Sequence, residues 1–158
     1  MIAPLSLSNL LTVLVALACY WNMSWQSRAG AVRLQRLVPA PCFAGVEALV
    51  LLAGVFAASW QSDLEWCVAL LLGAALGHLR GQKLAISVDR TKGEVILPRV
   101  NDGRVAALAL VGVAAIDFLS AYARAPVVEP QHVAALAAFF AGYLALRTLA
   151  LIVRAEKA

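Results

Sequence analysis

Five apolar blocks, separated by short polar segments, occupy most of the 158 residues of this chain. A membrane-spanning helix needs about 17–25 predominantly apolar residues, and the blocks are close to that length. The pattern therefore predicts an all-α membrane protein, a five-span helix bundle in a single domain. The predicted spans cover residues 5–25, 39–60, 64–79, 104–123 and 131–153.

Local signals mark where several of these helices begin. The segment PAPCF opens the second block, and its prolines suit the first turn of a helix. Ser62 or Asp63 is expected to cap the third helix from its N-terminal side. The segment RAPVVEP reads as the turn between the fourth and fifth helices, because its prolines stop one helix and start the next.

A charged stretch interrupts the apolar pattern between the third and fourth blocks. The segments KLAISV and EVILP are rich in β-branched residues and flank DRTKG, in which Gly93 can take a positive φ. This pattern predicts a short β-hairpin over residues 83–99. An isolated hairpin is only marginally stable in water. We therefore expect it to lie on the membrane face, on the protein's own helix ends, or on a partner.

Composition supports the assignment to the membrane. The chain is 63% hydrophobic and 14% charged, with a mean hydropathy of +0.83. Soluble domains are about half apolar and about a quarter charged, so an integral membrane protein fits best. The net charge of +4 is not carried by an aromatic-interleaved basic patch, and we expect no nucleic-acid partner.

The basic residues predict the orientation of the chain in the membrane. Segments 25–39 and 80–104 and the C-terminal tail contain three, six and two Lys or Arg residues, whereas the opposite side has only Arg124. Basic residues are enriched in cytoplasmic loops. We therefore predict that the N-terminus is outside and the C-terminus cytoplasmic, with the first block as an uncleaved span.

The charged stretch contains six basic residues that have two interpretations. They enforce the topology, or they dock the loop on anionic lipid or a partner, where each contributes about 1 kcal/mol. These residues are Arg80, Lys83, Arg90, Lys92, Arg99 and Arg104.

Three ionisable residues fall inside the predicted spans, where charge is costly and is commonly functional. At about 1.5 Å per residue, Glu47 and Arg147 lie roughly 12 and 10 Å from the cytoplasmic side, and Asp117 roughly 20 Å. The similar depths predict a Glu47–Arg147 ion pair. Asp117 is expected to be neutral, or to bond to Tyr143 or to Ser and Thr groups on neighbouring helices. These groups either fix helix packing or form a path for a solute or a proton.

Gly73 and Gly77 form a GxxxG motif in the third block. Such a motif lets two helix backbones approach closely. It favours contact within the chain and contact between subunits about equally.

No catalytic or metal-binding constellation is visible in the sequence. The three cysteines form no CxxC motif and are interpreted as packing residues, and the two histidines lie at opposite ends of their helices. No nucleophile–base set and no phosphate-binding glycine loop can be assembled. We therefore expect no enzyme, no cofactor and no metal.

The chain resembles CcdC-like and related small, uncharacterised bacterial inner-membrane proteins. The resemblance lies in the basic loop leading into RLVPAPCF, the strand-like ISVDRTKGEVILPR and the charged end RAEKA. It implies a multi-pass protein of the bacterial inner membrane and carries over no catalytic residue.

These observations predict a non-enzymatic accessory subunit or scaffold of a larger inner-membrane assembly. Its expected partners are the lipid bilayer, anionic lipid, and other membrane subunits or further copies of itself. The alternative is a small solute or proton-coupled transporter or channel that uses Glu47, Asp117 and Arg147.

Overall fold

The structure is a computed structural model, and it describes residues 7–55, 60–89, 94–98, 100–123, 125 and 127–157. This part of the chain forms five long helices, a short 3-10 helix and three short strands. In chain order they are α1 (Leu7–Ala29), β1 (Ala31–Arg33), the 3-10 helix (Leu34–Leu37), α2 (Pro39–Ala53), α3 (Trp60–Lys83), β2 (Ser87–Asp89), β3 (Glu94–Ile96), α4 (Asp102–Ala123) and α5 (Pro130–Lys157). Five helical segments are long and apolar enough to cross a membrane.

The third helix is longer than its apolar block. It begins at Trp60, so Ser62 and Asp63 lie inside the helix, and the prediction that they cap it from outside is wrong. Its polar ends fit a helix because Asp63 lies near the positive N-terminus, and Arg80 and Lys83 lie in the last turn. Charge at the two ends therefore extends the helix beyond the hydrophobic stretch.

The second helix ends earlier than its apolar block. The backbone N–H of Gly54 bonds to the carbonyl oxygens of Val50 and Leu51 and closes α2 after Ala53. The predicted end at residue 60 is therefore wrong. Trp60 belongs to α3, and residues 56–59 lie outside the described part of the chain.

Four helices form a ring. α1 packs beside α2, α2 beside α5, α5 beside α4, and α4 beside α1, whereas α3 packs mainly against the outside of α5. The core between the four helices is largely alanine, and Leu110 and Leu144 are its largest fully buried apolar side chains. Small core residues let the helices lie close together. Many leucines and tryptophans face outward instead.

Glycines set the contact between α3 and α5. A Cβ atom at Gly73 or Gly77 would collide with the backbone of Phe139 or Tyr143, and one at Gly81 would lie 2.7 Å from the Arg147 carbonyl oxygen. The paired positions advance together, so α3 and α5 run parallel. The GxxxG motif thus lies at a contact within the chain. Gly81 extends this contact by one more helical turn.

The predicted hairpin forms as β2 and β3, and β1 adds a third strand that we had not predicted. The strand order is β1-β3-β2, with both pairs antiparallel. Val32 and Val95 are opposite each other, and both are buried. The chain itself therefore covers this face of the sheet. Its turn, with Gly93, lies outside the described residues.

The third strand requires a sharp exit from α1. Gly30 follows the last helical residue and has φ +70°, a left-handed conformation that favours glycine. Its carbonyl oxygen accepts a 2.7 Å bond from the Leu97 N–H. The loop after α1 is thereby joined to the segment after β3, and both lie at one end of the bundle.

Candidate functional site

The two ends of the bundle differ in charge. The end where α1, α3 and α5 finish and α2 and α4 begin is called the basic end, and it holds the sheet. The other end, where α3 and α5 begin, is called the acidic end. There His132 lies 3.3 Å from Glu65 and 3.6 Å from Glu129, and these contacts join the starts of α3 and α5.

Asp102 is the centre of a charge cluster at the basic end. It is the first residue of α4, and its carboxylate accepts bonds from Arg147 Nε at 2.9 Å and Arg147 Nη2 at 3.1 Å. Tyr143 OH donates to it at 3.1 Å, and Arg80 Nε at 3.3 Å. One carboxylate therefore holds α3, α4 and α5 together. Bidentate pairing with Arg147 is among the strongest forms of such a contact.

The predicted ion pair between Glu47 and Arg147 is not formed. The Arg147 side chain, 7% exposed, pairs with Asp102. The depth estimate for Arg147 was misleading because α5 continues to Lys157 and α4 already begins at Asp102. This brings Arg147 level with the first turn of α4. We missed Asp102 because it lies in the polar segment NDGR, although an acidic residue just before an apolar block is a signal for a helix start.

Glu47 lies in the interior of the ring, on α2. It is fully buried, and among the residues that the structure describes neither carboxylate oxygen has a hydrogen-bond partner. Cys19 of α1 is also fully buried in the core and donates a 3.4 Å bond to the Ala40 carbonyl oxygen. Glu47 is thus an ionisable group without the bonds that normally accompany burial.

Asp117 is bound to α1. Asn9 Nδ2 donates to Asp117 Oδ2 at 2.8 Å, so the predicted bonds to Tyr143 or to Ser and Thr groups are replaced by an amide contact. Asp117 is also close enough to Glu47 to interact with it electrostatically. The structure therefore relates two of the three predicted buried charges, Glu47 and Asp117, and places Arg147 in a different cluster.

A small polar cavity lies beside Asp117 towards the acidic end. It has a volume of about 60 Å³, and Asn9, Thr12, Asp117 and Leu51 are among the residues that line it. A space of about 10–15 Å³ is enough for one water molecule, so water can enter this cavity. Glu47 is one turn from Leu51 on the same face of α2, about 6 Å along the helix axis.

Three of the six basic residues predicted as a docking set lie in the described part of the chain, and their surroundings differ. Arg80 belongs to the Asp102 cluster, Lys83 is exposed at the end of α3, and Arg104 donates to Tyr20 OH at 3.0 and 3.3 Å. The other three lie outside the described residues: Arg90, Lys92 and Arg99.

The described residues contain no group of three or more His, Cys, Asp or Glu side chains that could hold a metal ion. Cys42 and Cys67 are exposed on the bundle, whereas Cys19 is buried. Comparison of the chain with protein-family models, curated proteins and solved structures found no match.

Proposed function

We propose that this chain is a multi-pass membrane protein with its basic end in the cytoplasm, and that it binds and releases a proton at Glu47. The observation that carries the proposal is the complete burial of Glu47 with both carboxylate oxygens unpaired in the described structure. The five apolar helices and the charge bias of the loops support the placement in the membrane.

Burial determines which form of Glu47 is stable. An ionised carboxylate inside an apolar bundle loses its hydration, and no neighbouring cation or donor among the described residues replaces it. The protonated acid avoids most of this loss. Glu47 is therefore expected to hold a proton at rest and to release it only when water or charge reaches it.

The route to Glu47 leads from the acidic end. The cavity beside Asp117 is large enough for water, and Leu51, which lines it, is one helical turn from Glu47. Asp117 supplies a second ionisable group along the same route. On this route a proton moves from the outer solution through water to Asp117 and then to Glu47.

Towards the basic end, the space between α1 and the segment after β3, near Arg104 and Arg147, is only about 10 Å³. The alanine core and the Asp102–Arg147 pair lie between Glu47 and the cytoplasmic solution. A proton, unlike a larger solute, needs only a transient chain of water to cross such a core. The geometry therefore favours the proton-coupled alternative over an open channel.

The subunit or scaffold function remains a prediction. It was based on small-residue helix faces, a docking-sized hairpin and the lack of a catalytic constellation in the sequence. The chain itself covers the buried face of the sheet. The hairpin therefore gives no separate argument for a partner.

Infrared difference spectroscopy of the full chain in lipid vesicles tests the proposal directly. A protonated buried acid has a carbonyl band distinct from that of a carboxylate. We expect this band in the unmodified protein, its reversible change as the pH outside the vesicles is varied, and its loss in Glu47→Gln. Glu156→Gln is the matched control because Glu156 is exposed at the end of α5.

Proton uptake into the same vesicles provides the functional measurement. An imposed pH gradient, followed with an enclosed pH-sensitive dye, should drive uptake that Glu47→Gln abolishes and Asp117→Asn slows. Equal band intensity and equal uptake in Glu47→Gln and Glu156→Gln would show that Glu47 has no part in proton exchange.

A further inference from the structure

A groove on the outside of the bundle runs between α3 and α4, with α5 as its floor. Its volume is about 340 Å³, within the range of about 300–1,000 Å³ typical of small-molecule sites. Its apolar lining consists of Leu76, Val105, Ala106, Phe139, Phe140 and Tyr143. Leu76 and Val105 are more than half exposed, so the groove is open along its outer side.

The basic end of this groove is formed by the Asp102 cluster. Asp102 lines the groove, and its carboxylate is shared by two guanidinium groups, those of Arg80 and Arg147. Two positive charges and one negative charge leave a surplus of one positive charge. Arg147 is buried, whereas the Arg80 side chain is 44% exposed. The surplus charge is therefore accessible at Arg80.

A second positive charge lies close by. Lys83 follows Arg80 by three residues on α3, and positions three apart are neighbours on a helix surface. Lys83 is exposed. An apolar groove with two accessible cations at one end matches an amphiphile with an apolar tail and an anionic head.

We propose that the groove holds one acyl chain of an anionic phospholipid from the cytoplasmic leaflet, and that Arg80 binds its phosphate. Basic pockets between membrane helices on the cytoplasmic side commonly bind anionic headgroups, and the planar guanidinium suits phosphate oxygens. Tyr143, which donates to Asp102, lies where the tail meets the headgroup. The inference shares the membrane placement of the proposed function but does not depend on Glu47.

Native mass spectrometry of the full chain, with lipid added in detergent, measures this site. We expect phosphatidylglycerol to bind more tightly than phosphatidylcholine with the same acyl chains. Arg80→Gln should weaken phosphatidylglycerol binding about five- to tenfold, with little effect on phosphatidylcholine. Arg28→Gln is the matched control, because Arg28 is exposed in the last turn of α1, a helix that does not line the groove.

A second variant tests the tail independently of charge. Val105→Trp fills the groove from an exposed position, so the fold is expected to persist, and circular dichroism checks this. Lipid binding should fall as it does in Arg80→Gln. Inorganic phosphate should compete only weakly, because it lacks the tail. Equal binding of the two lipids, equal binding by Arg80→Gln and Arg28→Gln, no effect of Val105→Trp, or full competition by inorganic phosphate would each overturn the proposal.

Discussion

Asp102 and Glu47 are two carboxylates with opposite surroundings in an apolar protein. Asp102 accepts bonds from Arg147, Tyr143 and Arg80, so two guanidinium groups and a hydroxyl group stabilise its negative charge. Glu47 is fully buried and has no such bonds in the described structure. The first arrangement stabilises the helix contacts at the basic end. The second leaves a group whose charge can change, and the proposed proton exchange depends on it.

The Asp102 cluster yields a prediction about stability. Asp102→Asn removes the only acid paired with Arg147 in the described structure and leaves a buried guanidinium without a counter-charge. We expect a loss of about 3–5 kcal/mol in the free energy of unfolding. Arg147→Gln should cost less, because Arg80 and Tyr143 still bond to Asp102. Denaturant unfolding in detergent measures both.

The double variant and a control complete this test. Asp102→Asn with Arg147→Gln should recover part of the loss, because no buried charge remains unpaired. Asp63→Asn, at an exposed acid in the first turn of α3, should change the stability little. Strictly additive effects of the two single changes would mean that Asp102 and Arg147 are not coupled.

At the scale of helices, the contact between α3 and α5 depends on the absence of side chains. Gly73, Gly77 and Gly81 face the backbone of α5. On the α5 side of the same contact, Gly142 lies close to the Leu70 carbonyl oxygen of α3. In a membrane, helices associate mainly through such close packing, since lipid is as apolar as leucine. α3 is the least buried of the five spans, so this contact contributes most to its position.

Gly77→Ala should therefore weaken the attachment of α3. The added Cβ would collide with the Tyr143 backbone, which cannot move as a flexible side chain can. Overpacking of this kind typically costs about 1–3 kcal/mol. Gly112→Ala is the matched control on α4, where a Cβ meets nothing within 4 Å. Alanine is the better helix former, so Gly112→Ala should leave the free energy of unfolding unchanged or raise it.

Thermal unfolding of the two variants in the same detergent compares them directly. Equal stability of Gly77→Ala and Gly112→Ala would show that α3 can move away from α5 without loss.

At the scale of the whole molecule, the sheet imposes a topological condition. β1 precedes α2, β3 precedes α4, and the two strands are paired. The loop before α2 and the loop between α3 and α4 must therefore lie on the same side of any membrane that the helices cross. This agrees with the charge bias, which independently predicts that both loops are cytoplasmic.

Cysteine labelling in sealed cells tests the orientation. In a chain whose three native cysteines are replaced by alanine, Lys92→Cys and Arg28→Cys should react with a membrane-impermeant reagent only after the cells are opened. Glu129→Cys should react in intact cells, because Glu129 lies at the acidic end. Labelling of Lys92→Cys from outside would reverse the orientation and with it the proposed proton route.

The sequence by itself determined the five helices, the hairpin and the polarity of the two ends. These features follow from local properties: the length of apolar blocks, β-branched residues around a turn, and the distribution of Lys and Arg. It also identified Glu47 and Arg147 as buried, since ionisable residues in apolar blocks are visible without a fold, whereas Asp117 is only half-buried. The ends of α2 and α3 do not follow from the apolar pattern, because helices can stop within an apolar block or continue past it.

Only the tertiary structure decided which groups meet. The partner of Arg147 depends on how far α5 extends and on how each helix is rotated, and close glycine and alanine packing sets the rotation. The third strand depends on Gly30 turning the chain back towards β3, a contact between residues more than sixty positions apart. The isolation of Glu47 likewise depends on what the other helices bring near it. Depth along a helix can be counted from sequence, but rotation about its axis follows from contacts that form only when the bundle packs.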